Sequence, residues 1–214
     1  LNGFAQVLAR HPKVFAIADE IYEHINFSGK HESLAQFPEV YDQVITVNGV
    51  SKAYAMTGYR IGYIGAPLWI TKACDKMQGQ ITSGANSIAQ RASIEALNTS
   101  EEWLADMCKI FEKRRGLVTE LFSTIEGFKT NVPGGAFYLF PEVSALFGHS
   151  FNGQEVNSSN DLCMFFMNEC HVAMVPGEAF GAPGYLRLSY ATSESNLKEA
   201  ARRIKIGVEK LLHH

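Results

Sequence analysis

Asn48-Gly49-Val50-Ser51-Lys52-Ala53-Tyr54-Ala55-Met56-Thr57-Gly58-Tyr59-Arg60 is the stretch from which the architecture of this chain unfolds. It lies between two apolar runs, residues 44–47 and 61–66, that are too short for helices and read as strands. The second of these runs carries Gly62 and Gly65, which suggests tight backbone packing. Lys52 and Arg60 stand eight positions apart with no acid between them. An amine held at a strand end, away from bulk water, becomes a nucleophile. A guanidinium beside a glycine turn suits a phosphate, which it grips through two parallel hydrogen bonds. Amine plus phosphate clamp is what an aldehyde cofactor with a phosphate tail needs. The residue types alone leave a second reading open, that Lys52 and Arg60 are solvated loop charges.

Upstream, residues 2–11 place Phe4, Val7 and Leu8 at helical spacing, and Pro12 ends that helix. Residues 14–18 form a continuous apolar run that predicts a buried parallel strand. Asp19 then falls at the carboxyl end of that strand, where open α/β sheets bind ligands. The segment Asp19-Glu20-Ile21-Tyr22-Glu23-His24 reads as a capped, solvated turn, as a metal site, or as a cofactor site. Glu20, Glu23 and His24 lack the Glu-x-x-His spacing of helical carboxylate sites, which argues against metal. Gly58, Gly62 and Gly65 do not form a dinucleotide-binding fingerprint.

The string Ser51-Lys52 … Met56-Thr57-Gly58-Tyr59-Arg60-Ile61-Gly62 resembles the cofactor-lysine motif of the class I aminotransferases, the fold-type I pyridoxal-phosphate enzymes. Asp19-Glu20-Ile21-Tyr22 resembles that family's Asp-Glu-x-Tyr motif. Downstream, Val175-Pro176-Gly177 … Phe180-Gly181 … Gly184-Tyr185-Leu186-Arg187-Leu188-Ser189-Tyr190 is again similar. The resemblance covers nearly the whole chain and is greatest to the aspartate aminotransferase-like branch. It implies that Lys52 is the Schiff-base lysine and proton shuttle. It implies that Asp19 sits on the pyridine nitrogen, Tyr22 on the phenolic oxygen and Arg60 on the phosphate of pyridoxal 5'-phosphate, with Ser51 assisting at the phosphate. Arg187 matches the arginine that pairs with the substrate α-carboxylate. From alternation along its strand alone, Arg187 faces either solvent or a ligand.

Further along, Pro67 opens a helix to about Gln80, and residues 87–98 are helical. The polar segment from Gln80 to Gln90 reads as a loop; by the resemblance it reaches toward a neighbouring subunit, implying a homodimer. Residues 101–126 form a long helix with Glu101 and Glu102 at its positive end and a wet face of Lys109, Lys113, Arg114 and Arg115. Beyond Gly127, strands are predicted at 128–132, 136–140, 172–175 and 185–190. Helices are predicted at 161–169, capped by Asn160, and at 195–212.

The expected architecture is α/β. Residues 1–115 form the carboxyl-terminal part of a cofactor-binding large domain, an incomplete and mainly parallel sheet. Residues 116–214 form a small α+β domain. The implied function is amino-group transfer between an L-amino acid and a 2-oxo acid. A lyase or synthase of the same fold, or a non-catalytic cofactor-binding effector domain of a transcription regulator, are the alternatives. The start, Leu1-Asn2-Gly3-Phe4, is neither a leader nor an initiator methionine and reads as an interior cut, so this chain alone is expected to be inactive. His213-His214 reads as a tag remnant.

Hydrophobic residues make up 46% and charged residues 19%, the balance of a globular protein with a core. A net charge of -3 gives no footprint for nucleic acid or an anionic membrane, and no run is long enough to span a bilayer. Cys74, Cys108, Cys163 and Cys170 show no Cys-x-x-Cys pair, so no metal is expected and free thiols in the reducing cytoplasm are.

Overall fold

The computed structural model describes residues 1–213; His214, half of the proposed tag remnant, lies outside them. The chain divides into two compact units, Leu1–Cys108 and Lys109–His214.

The first unit is built on a three-stranded sheet, β1 (Ala16–Asp19), β2 (Val44–Gly49) and β3 (Gly62–Gly65), in that order. β1 runs parallel to β2, with Asp19 opposite Val47. β3 runs antiparallel to β2, with Gly49 opposite Gly62. A small core joins Ala5 and Leu8 of α1 (Asn2–Ala9) to Leu34, Val40 and Val44. The Gln43 amide donates to the carbonyls of His11 and Val14 at 2.9 and 2.7 Å, tying the α1–β1 link to the head of β2. Between β1 and β2 the chain forms two short 3-10 helices, Leu34–Gln36 and Pro38–Gln43. α2 (Leu68–Ile81) and α3 (Ser87–Leu97) follow, α3 being capped by Asn86 Oδ1, which accepts from Ala89 N.

The run at 14–18 is a parallel strand as expected, but it is not buried. Ile17 is 73% exposed, and Val14 and Phe15 are exposed as well. Its apolar character records a strand suited to cover on both faces, while β1 is here an edge strand.

α4 (Glu101–Ser123) spans the division between the units. The second unit packs α5 (Ser159–Cys170) and α6 (Glu194–Leu212) against a sheet of β4 (Tyr138–Leu139), β8 (Leu186–Ser189) and β7 (Val175–Pro176), in that order. Its core is continuous and includes Phe122, Leu139, Phe166, Leu186, Leu188, Tyr190 and Ile204. β5 (His149–Phe151) and β6 (Gln154–Val156) form a hairpin turned by Asn152 and Gly153, both at positive φ. Pro176 sits in β7, an edge strand, where its missing N–H breaks no ladder.

Three expectations here are corrected. The strand at 128–132 shrinks to a single bridge between Lys129 and Glu142, because only Phe128 of that run enters the core and Val132 faces water. The strand at 136–140 shortens to β4 because Ala136 takes a left-handed conformation, φ 59°. α5 is capped by Ser158 rather than Asn160. Ser158 Oγ accepts from Asp161 N at 3.1 Å and donates to the Asp161 carboxylate at 2.7 Å. That reciprocal bond and the Asn157 N–H hold the Asp161 carboxyl below its ordinary range.

The core also sets an alkaline limit. Burial, reinforced by the charge of Glu178, pushes the Cys163 thiol up to about 11. Burial pushes the Tyr190 phenol up to about 12, against the pull of Arg115. Both groups hold their protons more tightly folded than unfolded. Their contribution is therefore complete below about pH 9 and is lost as pH rises through 11 to 12. Urea midpoints followed by circular dichroism should fall steeply over that window. Cys163→Ala should remove its lower part, about 3 kcal/mol by linkage. A flat profile from pH 9 to 12 would contradict this.

Candidate active site

Parallel pairing of β1 and β2 puts their carboxyl ends at the same edge of the sheet. Asp19 closes β1 and Gly49 closes β2, while β3 starts at Gly62 on that same side. The loop between β2 and β3 therefore leaves and re-enters at the ligand-binding edge, fastened by a Val50 N–H to Ile61 carbonyl bond of 3.4 Å. A Cβ on Gly49 would stand 2.7 Å from the Ile61 carbonyl oxygen, so the strands close this tightly only with glycine there. Ser51, Lys52 and Arg60 all lie on this loop.

Lys52 Nζ lies 5.8 Å from the centre of the Tyr22 ring. Tyr22 belongs to the turn after β1, in which Asp19 Oδ1 accepts from Ile21 N at 3.3 Å. Arg60 occupies the left-handed region, φ 59° and ψ 43°, and donates from Nη1 to the Thr57 carbonyl at 3.1 Å. Ala55 in the same loop is also left-handed, φ 53°. Two such non-glycine residues in one loop are strained backbone of the kind that gathers at ligand sites. Arg60 lines a cleft of 1230 Å³ together with Tyr59, Tyr63, Gln78 and Asn86; Asp19, Tyr22 and Lys52 are not among its lining residues.

The acids of the Asp19 segment point to separate partners. Glu20 accepts from Ser33 Oγ at 2.6 Å and faces His31 Nε2 at 3.0 Å, a nearly buried anchor for the following loop. Glu23 accepts from Asn48 Nδ2 at 2.8 Å and lies 3.2 Å from His24. Among the described residues no three His, Cys, Asp or Glu side chains gather as a metal site. Burial, and then Glu23, raise the phenol pKa values of Tyr54 and Tyr63. Tyr54 also stacks on Trp103 at 6.2 Å.

Arg187 belongs to the second unit. It sits in β8 on the face opposite the buried Leu186 and Leu188. Its guanidinium carbon is 4.5 Å from the ring centres of both Tyr138 and Phe180. Among the described residues no carboxylate pairs with it. The contact with these rings escaped the sequence reading: Tyr138 is far from Arg187 in the chain, and Phe180, although in the same quoted string, reaches Arg187 only through the fold of the turn between them.

Residues 1–204 match the family described as "Aminotransferase class I and II". The chain belongs to that family.

Among class I and II aminotransferases, it is 45% identical over 96% of its length to the bifunctional aspartate aminotransferase and glutamate/aspartate-prephenate aminotransferase of Petunia hybrida, covering 44% of that protein. It is 43% identical to an aspartate aminotransferase of Rhizobium meliloti strain 1021, covering 96% of this chain and 51% of the relative. The crystal structure of an aspartate aminotransferase from Rhizobium meliloti superimposes with a TM-score of 0.93 at 42% identity, over 98% of this chain and 53% of that one. The aromatic aminotransferase of Pyrococcus horikoshii follows at 0.87 and 34%, over 97% and 54%. The chain thus spans about half the length of these aminotransferases, corresponds to their carboxyl-terminal part, and shares their fold-type I architecture.

Proposed function

We propose that the chain is the carboxyl-terminal part of a pyridoxal-phosphate-dependent aminotransferase that exchanges an amino group between an L-amino acid and a 2-oxo acid. The observation that carries this is the lysine loop closing β2 to β3 at the carboxyl ends of the parallel strands, with the Lys52 amine over Tyr22 in the turn that follows Asp19. An amine, a carboxylate, a phenol and a guanidinium at one edge of one sheet match the functional groups of pyridoxal 5'-phosphate. When bound, that cofactor supplies an aldehyde and an electron-accepting ring.

Each residue then has a distinct task. Lys52 would provide the nucleophilic amine that holds the cofactor, and its Nζ would take and return the substrate α-proton. The Asp19 carboxylate keeps a proton on the ring nitrogen by favouring the charged form. Tyr22 would donate a hydrogen bond from its phenol to the ring oxygen. Arg60 grips the phosphate, with the Ser51 hydroxyl beside it. Arg187 binds the substrate α-carboxylate.

In domain terms, residues 1–115 are part of the cofactor-binding large domain and residues 116–214 are the small domain. The packing division after Cys108 falls within the same helix, α4, as that boundary. A homodimer is supported by the segment Gln80–Gln90, in which Ile81 and Ile88 are exposed. No described helix is long and apolar enough to cross a membrane. Four free cysteines favour a reducing compartment, the cytoplasm.

The test is an exchange assay on a full-length protein containing this chain. L-aspartate and 2-oxoglutarate should yield oxaloacetate and glutamate in equal amounts. Release of ammonia without keto-acid exchange would place the chemistry with the lyases and overturn the proposal.

A further inference from the structure

We propose that Tyr138 and Phe180 are positioning residues for Arg187, clamping its guanidinium between two rings so that only its edge is offered to a carboxylate. This rests on the substrate-binding reading of Arg187 given above. Both ring centres lie 4.5 Å from the guanidinium carbon. Guanidinium is flat, weakly hydrated and stacks on aromatic faces, whose negative quadrupole attracts the cation. Stacking uses the faces of the group and leaves its in-plane N–H donors unspent. A carboxylate partner would consume those donors.

The contrast with the neighbouring arginines is direct. Arg115 bonds Glu112 at 3.1 Å, and Arg202 and Arg203 each bond Glu199 at 2.8 Å. Arg187 has no acid partner among the described residues. It is thus a cation kept in place by rings, with its fork of donors reserved for an incoming anion. The planar two-oxygen geometry of a carboxylate matches that fork.

The clamp is itself braced. Tyr138 pairs with Ser189 across β4 and β8, which makes it the diagonal cross-strand neighbour of Arg187 on the same face. Tyr190 secures the chain leading into β4, donating its backbone N–H to the Phe137 carbonyl at 2.9 Å and its hydroxyl to the Ala136 carbonyl at 3.0 Å. Phe180 ends the 3-10 turn Gly177–Phe180, and Gly181 follows in the left-handed region. Gly177 is boxed in by the Ala182 and Tyr185 carbonyls, so a side chain there would dislodge the turn. Phe140 meets Phe180 edge-on at 6.0 Å and stacks on Tyr185 at 5.3 Å. Two elements, joined through the Phe140 contact, thus set the spacing of the rings.

The experiment uses the full-length holoenzyme containing this chain. Tyr138→Leu, Phe180→Leu, Tyr138→Phe, Phe180→Tyr and Arg187→Gln are compared for kcat, for KM of L-aspartate and for the inhibition constant of succinate. Each leucine variant should raise KM and the succinate constant by about 3- to 30-fold, the range of one ring–cation contact. Its kcat should change by less than that. The ring-keeping variants should recover most of the lost affinity, which a purely space-filling role would not require. If the leucine variants bind succinate as the parent does, or the ring-keeping variants are as weak as the leucine ones, the clamp is refuted. Should Arg187→Gln alone weaken succinate, the clamp falls but Arg187 keeps its role. Should Arg187→Gln leave succinate binding intact, both fall together.

Discussion

Lys52→Ala should erase the visible absorbance of the lysine–cofactor linkage and lower transamination by at least about 10⁴-fold in a full-length protein containing this chain. Two losses combine in that one substitution. The covalent anchor disappears, and so does the only amine of the β2–β3 loop that could shuttle the α-proton. A positioned acid–base group alone is worth about 10²–10⁴. Lys52→Arg separates charge from chemistry, because guanidinium stays protonated and is no nucleophile. It should therefore be as inactive as the alanine variant, with no linkage band, while keeping the positive charge near Tyr22. Survival of the band in either variant would show that another amine carries the cofactor.

Arg187→Gln should lower kcat/KM for amino-acid substrates by about 10²–10³, from the loss of two charge-assisted hydrogen bonds. Most of the loss should appear in KM. Arg187→Lys keeps the charge but presents a compact ammonium with no flat faces for Tyr138 and Phe180 and no fork for a carboxylate. It should lose nearly as much as glutamine. Steady-state kinetics on the two variants checks this; a lysine variant with parental KM would mean that net charge alone suffices at position 187.

The strands of the first unit were legible because short apolar runs bounded by turn residues have few competing readings. The edge placement of Asp19, Ser51, Lys52 and Arg60 follows from β1 and β2 being parallel, with each residue lying at or just beyond a strand end that the sequence marks. Burial was less legible. A strand such as residues 14–18 has the composition of an interior strand, yet exposure depends on neighbours that composition does not name. In the second unit, Asn152-Gly153 between Phe151 and Gln154 was a readable hairpin signal that the sequence reading passed over. The shortening of β4 was not readable, since a left-handed alanine at 136 is imposed by tertiary packing against a residue's own preference. Alternation in β8 put Arg187 opposite the leucines but left open what it faces. The rings around it come from residues forty-nine and seven positions away; the first lies beyond any local pattern, and the second meets Arg187 only because the intervening turn folds it back.

Among the described residues, two clusters of buried apolar side chains share no member, a sparse one around Val40 and Val44 and a dense one around Phe122 and Phe166. Heat or urea therefore acts on this polypeptide as on two cooperative blocks of unequal strength. A single melting midpoint would average over both, and a substitution near Lys52 could leave the dominant calorimetric peak unmoved while loosening the block that carries it. Thermal shift assays on this chain report chiefly on the half that holds Arg187, so ligands of the lysine loop need a probe placed there, for which Trp103 beside Tyr54 is already in position.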